Sequence, residues 1–86
     1  MGYRSRYEIL ASIVRSAAKE KGGLGLTKLM YISVLSYPQT LQFVKELVAQ
    51  DLLAYESHNK KYKVTQKGMK FLSVVDSLED LLNRNK

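Results

Sequence analysis

The sequence predicts a mainly helical α+β fold in which three helices, a small β-hairpin and a fourth helix follow one another. Apolar residues recur at helical spacing before residue 51 and after residue 65, and the period changes to two between these segments. Capping residues, glycines and a proline stand at the boundaries. The chain has 86 residues, enough for one domain that buries about 60 to 65% of its unfolded surface. A partner subunit would therefore help to stabilise it.

The first helix is predicted over residues 6–21. Ser5 and Glu8 have the spacing of a capping box, in which each satisfies a backbone N–H group at the start of a helix. The residues that follow place one apolar face toward a core: Ile9, Leu10, Ile13, Val14 and Ala17. The glycines of "GGLGL" then end the helix, because glycine lowers helix stability and permits left-handed backbone.

A short second helix is predicted over residues 28–34. Thr27 offers a side-chain oxygen as its N-cap, and Leu26 and Tyr31 have the spacing of a hydrophobic staple across that cap. The polar segment "SYPQ" follows and separates this helix from the next apolar stretch.

The third helix is predicted over residues 37–50. Ser36 and Gln39 repeat the capping-box spacing, and Pro38 falls in the first turn, where its missing N–H group costs no helical bond. Because a residue before proline is pushed away from helical backbone, Tyr37 is an alternative cap. One predicted face is apolar, and the opposite face carries Gln39, Gln42, Phe43, Glu46 and Gln50.

A β-hairpin is predicted between Leu52 and Thr65, where apolar and polar residues alternate. The turn lies at "HNKK", with Asn59 at the tip because asparagine tolerates a positive φ. Thr65 then caps a last helix with a long apolar stripe: Phe71, Leu72, Val75, Leu78, Leu81 and Leu82. This order of elements is that of a winged helix-turn-helix, in which the hairpin is the wing.

The last helix carries more apolar residues than one small core can cover. We expect residues 1–68 to form the winged helix-turn-helix core and residues 69–86 a helix that packs on the core and also dimerises. Phe71, Leu72 and Val75 are expected to pack inward. Positions 71, 74, 78 and 81, with Leu82 beside them, approach a heptad seam. The sequence therefore predicts a homodimer interface at Val74, Leu78, Leu81 and Leu82.

The charge distribution favours a polyanionic partner. Lys and Arg number 14 against 8 Asp and Glu, which gives a net charge of +6, and the excess lies entirely in residues 1–68. Such an excess favours phosphate polyanions. The residues expected to contact DNA phosphates lie on the hairpin, at the start of the second helix and around the start of the first: Lys60, Lys61, Lys63, Lys28, Arg4 and Arg6.

The third helix is the candidate for the major groove. Gln39 and Gln42 can each pair with an adenine edge, Thr40 can reach a phosphate or a thymine methyl group, and Phe43 can contact thymine. Glu46 lies on the same face and repels phosphate unless it pairs with a lysine or accepts from a cytosine amino group. The alternative is a solvated face with one aromatic residue that packs against the wing or a partner.

The sequence offers little for catalysis. There is no cysteine, and His58 has no partner at the spacing of a nucleophile and its base. "GGLGLTK" lacks the preceding strand and the order of residues of a phosphate-binding loop. We therefore expect no enzymatic activity, cofactor, metal or small-molecule substrate. With no apolar run long enough to span a membrane and no secretory signal, we expect a cytoplasmic protein.

Three segments together resemble a known family: "YEILASIV", "TKLMYISVLSYPQTLQFVKELVAQDLLA" and "YKVTQKGMKFL". They are similar to the archaeal winged-helix proteins typified by small chromosomal DNA-binding dimers, and they cover nearly the whole chain. The resemblance implies a homodimer joined by C-terminal helices in an antiparallel coiled coil. It also places a set of residues on the recognition helix and the wing: Tyr37, Gln39, Thr40, Gln42, Phe43, Lys60 and Lys61. The chain departs from the family in Pro38 and in its shorter C-terminal helix.

The expected function is therefore double-stranded DNA binding, as a transcriptional regulator or as a nucleoid-associated chromosomal protein. A protein-interaction module on the same scaffold, without DNA binding, is the alternative. Glu46 favours that alternative.

Overall fold

The computed structural model describes residues 5–83, with side chains through residue 82. Within this range the order of elements is α1 (Arg6–Ala18), α2 (Leu26–Ser33), α3 (Tyr37–Ala49), β1 (Leu53–Glu56), β2 (Lys61–Val64) and α4 (Gln66–Asn83). The predicted α+β fold class is confirmed. Across these residues, no helix combines the length and the apolar character needed to cross a bilayer. Arg4, one of the predicted phosphate contacts, lies outside the described residues.

Helix α1 begins as predicted and ends earlier. Ser5 is the N-cap, and its hydroxyl and the Glu8 carboxylate form the capping box. The helix was predicted to reach residue 21 but ends at Ala18. The reason is the turn that follows, because the Gly23 N–H donates to the carbonyl of Glu20 and Gly23 has a φ of 82°. That turn needs the chain to leave helical geometry before the glycines.

Helix α2 also begins at a different residue from the predicted one. Thr27 was predicted as the N-cap, but the cap is Gly25, and Thr27 lies inside the first turn. The backbone just before it is fixed by pairing of Leu24 with Tyr62 of the wing, so the helix starts directly after that pair. The helix ends at Ser33, and its C-cap, Val34, has left-handed backbone with a φ of 57°.

The structure decides between the two N-caps that the sequence allowed for helix α3. Ser36, and not Tyr37, is the N-cap. Its hydroxyl accepts from the Gln39 N–H at 3.3 Å, and the Gln39 side-chain oxygen accepts from the Ser36 N–H at 3.0 Å. Pro38 lies in the first turn, as the missing N–H group requires. Asp51 follows the helix with a φ of 64°.

The wing is an antiparallel hairpin in which Leu53 pairs with Val64 and Tyr55 with Tyr62. The turn occupies residues 57–60. Asn59 was predicted to hold the positive φ, but the residue that does so is Lys60, with a φ of 56°. Leu24 adds a third strand position, since it exchanges backbone hydrogen bonds of 2.9 and 2.8 Å with Tyr62.

Helix α4 starts where Thr65 predicted it. The Thr65 hydroxyl accepts from the Gly68 N–H at 2.9 Å and donates to the carbonyl of Asp51. Gly68 is buried against Leu52, and no space remains for a β-carbon. Leu72 is buried and Phe71 packs on the core, as predicted. Arg15 of α1 and Asp76 form an ion pair at 3.0 Å. The division expected between residues 68 and 69 falls inside this helix.

The core lies where α1, α2 and α3 meet the base of the wing. Its fully buried side chains come from each of these elements and include Ile13, Val14, Leu29, Val44, Leu47 and Leu53. The apolar faces predicted for α1 and α3 are the faces that supply these residues. The core therefore fixes the polar face of α3 and the wing relative to each other.

Candidate nucleic-acid interface

The polar face of α3 presents Gln39 and Gln42, both exposed. Gln39 serves the helix cap, because its side-chain oxygen accepts from the Ser36 N–H. An amide oxygen has a second lone pair, so Gln39 can still accept from a base while it caps the helix. Gln42 follows on the same side of α3.

Thr40 does not belong to this face, which corrects the prediction that it reaches DNA. Its side chain is fully buried, and the hydroxyl donates to the carbonyl of Ser36 at 2.8 Å. Thr40 lies four residues before Val44 and seven residues before Leu47, and both of these are core residues. This spacing places it on the buried side of the helix, and the sequence contains that signal.

Phe43 and Glu46 are tied to α1 through Arg6. The Arg6 guanidinium donates to the Glu46 carboxylate and lies 5.9 Å from the centre of the Phe43 ring. Phe43 is half-buried and packs against the core. The charge of Glu46 is therefore offset by Arg6, which was predicted as a phosphate contact. This pairing partner was not identified from the sequence.

The lysines of the wing differ in their surroundings. Lys60 and Lys61 are exposed at the turn and the start of β2. Lys63 is half-buried, and its ammonium group lies 3.4 Å from the carboxylate of Glu56. Lys28 is exposed in the first turn of α2. Lys60 and Lys61 are thus the wing cations most available to a phosphate.

A cleft of about 450 Å³ separates the wing from the starts of α2 and α3. Its lining combines the N-cap and the first two residues of α2, two residues of α3 and three residues of the wing: Gly25, Leu26, Thr27, Tyr37, Leu41, Tyr55, Lys60 and Tyr62. We call this the tyrosine cleft. It brings together two residues predicted as DNA contacts, Tyr37 and Lys60.

Two of the tyrosines in this cleft were missed by sequence reasoning. Tyr55 and Tyr62 face each other across the hairpin, with ring centres 4.8 Å apart and planes tilted by 44°. Aromatic residues at opposed hairpin positions form such pairs. The alternating positions of Tyr55 and Tyr62 in the two predicted strands were therefore the sequence signal for this pair. Burial, followed by the nearby phenols of Tyr55 and Tyr37, raises the pKa of Tyr62.

The predicted dimer residues lie along the outer part of α4. Val74, Leu78, Leu81 and Leu82 are all exposed in this single chain, Leu82 to 74%. Leu78 and Leu82 line an apolar groove of about 440 Å³ together with Tyr7 and Phe71. The groove runs between α4 and the start of α1.

Comparison with known proteins agrees with this architecture. A sequence profile described as winged helix-turn-helix matches residues 3–83. No curated protein sequence matches the chain. Among solved structures, the crystal structure of Sso10a-2, a DNA-binding protein from Sulfolobus solfataricus, matches with a TM-score of 0.78 at 22% sequence identity, over 94% of this chain and 84% of that chain.

The profile spans all of the described residues, and the likeness of fold to Sso10a-2 agrees with it. The chain belongs to the winged helix-turn-helix family.

Proposed function

We propose that the protein binds double-stranded DNA, with α3 in the major groove and the wing on the phosphate backbone. The observation that carries this proposal is the meeting of Lys60 at the wing tip and Tyr37 at the start of α3 in one cleft. A duplex that touches one of these elements is within reach of the other. The net charge of +6 and the description of Sso10a-2 as a DNA-binding protein also support it.

The pairing of Glu46 with Arg6 removes the main objection to this function. An unpaired carboxylate on the groove-facing side of α3 would repel phosphates. With Arg6 beside it, the pair of side chains has no net charge. Gln42 and the exposed amide of Gln39 are then the side chains for base edges, and Lys28, Lys60 and Lys61 are those for phosphates.

We propose further that the protein acts as a homodimer through α4. Val74, Leu78, Leu81 and Leu82 remain exposed on the helix whose Phe71 and Leu72 pack on the core. Burial of such side chains is worth about 25 cal/mol per Å² of apolar area. Contact with the same residues of a second copy of the chain would therefore be favourable. Sedimentation analysis over a range of concentrations tests the association.

The proposed role is that of a transcriptional regulator or a nucleoid-associated chromosomal protein, without catalytic activity. Fluorescence anisotropy with random and genomic duplexes at several salt concentrations separates the two. A regulator prefers one site, whereas a chromosomal protein shows an affinity that depends on salt and hardly on sequence. Failure to bind any duplex at about 50 mM salt, where phosphate contacts are strong, would contradict both roles.

A protein-interaction module without DNA binding is the second candidate. The apolar groove at Tyr7, Phe71 and Leu78 is the observation that favours it. The same anisotropy experiment decides, because this candidate requires that no duplex is bound at low salt.

A further inference from the structure

The contacts proposed for a duplex use Lys60 of the tyrosine cleft but not the aromatic and apolar surface beside it. Tyr37 is 54% exposed and Tyr55 is 45% exposed, although both are large aromatic residues. Leu26 and Leu41 supply apolar surface to the same cleft, and Lys60 supplies a cation. The contacts that a winged helix makes with a duplex are to base edges and phosphates. They leave the exposed aromatic rings without a role.

Aromatic rings beside a cation are the usual means of holding an unpaired base. Each base has a π-face that stacks on a tyrosine, while a lysine meets the phosphate that accompanies it. In a duplex these faces are covered by neighbouring base pairs, so only an unstacked base offers one. The cleft volume of about 450 Å³ lies within the range of sites that hold small organic groups.

The backbone around the cleft holds its walls in fixed positions. Gly25 is the N-cap of α2, and a β-carbon at this position would lie 3.8 Å from the backbone carbonyl oxygen of Lys60. The backbone bonds between Leu24 and Tyr62 join the loop before α2 to the wing. Tyr62 in turn packs against the Tyr55 ring. The cleft is therefore present before any ligand arrives.

We propose that the tyrosine cleft binds one unstacked base of single-stranded DNA, with the base against Tyr37 and Tyr55 and its phosphate near Lys60. The proposal rests on the proposed DNA binding by α3 and the wing, and it adds a preference for unpaired segments. Stacking tolerates any base, so this preference is independent of sequence. Strand ends, gaps and melted regions are the forms of DNA that present such a base.

The experiment titrates the full-length protein with three labelled DNAs: a single strand, a strand of equal length and charge whose central sugars lack bases, and a blunt duplex. Anisotropy measures the affinity. The strand with bases should bind about 5- to 150-fold more tightly than the abasic strand, the range expected for the stacking of one base. Equal affinity for the two strands overturns the proposal.

Substitutions then locate the base. Tyr37→Leu and Tyr55→Leu should each remove most of the advantage of the strand with bases, whereas Tyr37→Phe should keep it because the ring remains. Tyr31→Leu is the matched control, since Tyr31 is 72% exposed but does not line the cleft. Circular dichroism checks that each variant folds. If the two leucine variants, once folded, retain the full advantage, the cleft is not the site.

The three DNAs also separate this proposal from the proposed function. Binding of the duplex, with no difference between the two single strands, leaves duplex binding intact and overturns the base site. Binding of neither the duplex nor the single strand overturns both. A single strand of RNA that binds more tightly than the DNA strand overturns the assignment to DNA.

Discussion

The guanidinium of Arg6 donates to the carboxylate of Glu46, which joins the first residue of α1 to the C-terminal half of α3 across 40 positions of sequence. Both side chains are partly exposed, at 57% and 33%. An ion pair in such a setting contributes about 0.2 to 1 kcal/mol to stability. Its larger consequence is for the charge on the face of α3 that we propose to enter the major groove.

Substitutions at this pair should move DNA affinity in opposite directions. Glu46→Gln removes the carboxylate and releases a cation, and Arg6→Gln leaves the carboxylate unpaired. A unit charge about 6 Å from a phosphate in water is worth about 0.7 kcal/mol, so affinity should rise about threefold in the first variant and fall about threefold in the second. Anisotropy at low salt measures both. The double variant, with the same net charge as the wild type, is the control. Equal affinities for all four proteins would show that this surface does not face DNA.

Removal of the wing lysines should weaken binding to all duplexes alike. Lys60→Ala combined with Lys61→Ala should lower the slope of log affinity against log salt by about 0.9 for each phosphate that is no longer neutralised. The control is Lys19→Ala combined with Lys70→Ala, which makes the same change in net charge. Both residues are exposed, one at the C-terminal end of α1 and the other on α4. An equal decrease of slope in the two double variants would exclude a direct role of the wing.

Leu78→Glu should dissociate the proposed dimer. Leu78 is exposed in the single chain, so the fold should survive, while a carboxylate buried at an apolar interface costs several kcal/mol. Sedimentation equilibrium measures the association. Leu78→Met conserves volume and should leave the association constant nearly unchanged. A wild-type protein that is monomeric at all concentrations would refute the interface.

Val34→Gly should stabilise the protein. Val34 has a φ of 57°, is β-branched and is 81% exposed, so it bears the steric cost of left-handed backbone, about 1 to 2 kcal/mol, and gains little from burial. Glycine removes that cost but loses about 0.4 to 1 kcal/mol through the unfolded chain. The net gain should be about 0.5 to 1 kcal/mol in denaturant unfolding. Asp51→Gly, at a φ of 64°, should gain less because aspartate tolerates this conformation.

Gly68→Ala should destabilise the protein although alanine favours helices. A β-carbon at Gly68 would overlap the carbonyl oxygen of Leu52 and lie 2.8 Å from a methyl group of Val64. Overpacking of this kind costs about 1 to 3 kcal/mol. Gly22 has open space around it, so Gly22→Ala should be neutral or slightly stabilising. Thermal unfolding compares the two, and equal melting temperatures would contradict the close approach of α4 to Leu52.

The features that were predicted correctly from sequence are local ones. The capping box of Ser36 and Gln39 and the cap at Thr65 depend on residues three apart, and both are present in the structure. The start of α2 was missed because it depends on the pairing of Leu24 with Tyr62, which no local pattern reveals. The same holds for Arg6 and Glu46. Thr40 differs from these, because its helical spacing to Val44 already indicated burial.

The bonds between Leu24 and Tyr62 also bear on the entropy of binding. A wing joined to the rest of the chain only by its two strand ends would lose conformational freedom when it settles on a phosphate backbone. Here the loop between α1 and α2 holds the wing by two further backbone hydrogen bonds. The wing therefore loses this conformational freedom when the protein folds, and a smaller loss of entropy opposes association. A bound nucleic acid would therefore meet a surface that is already assembled.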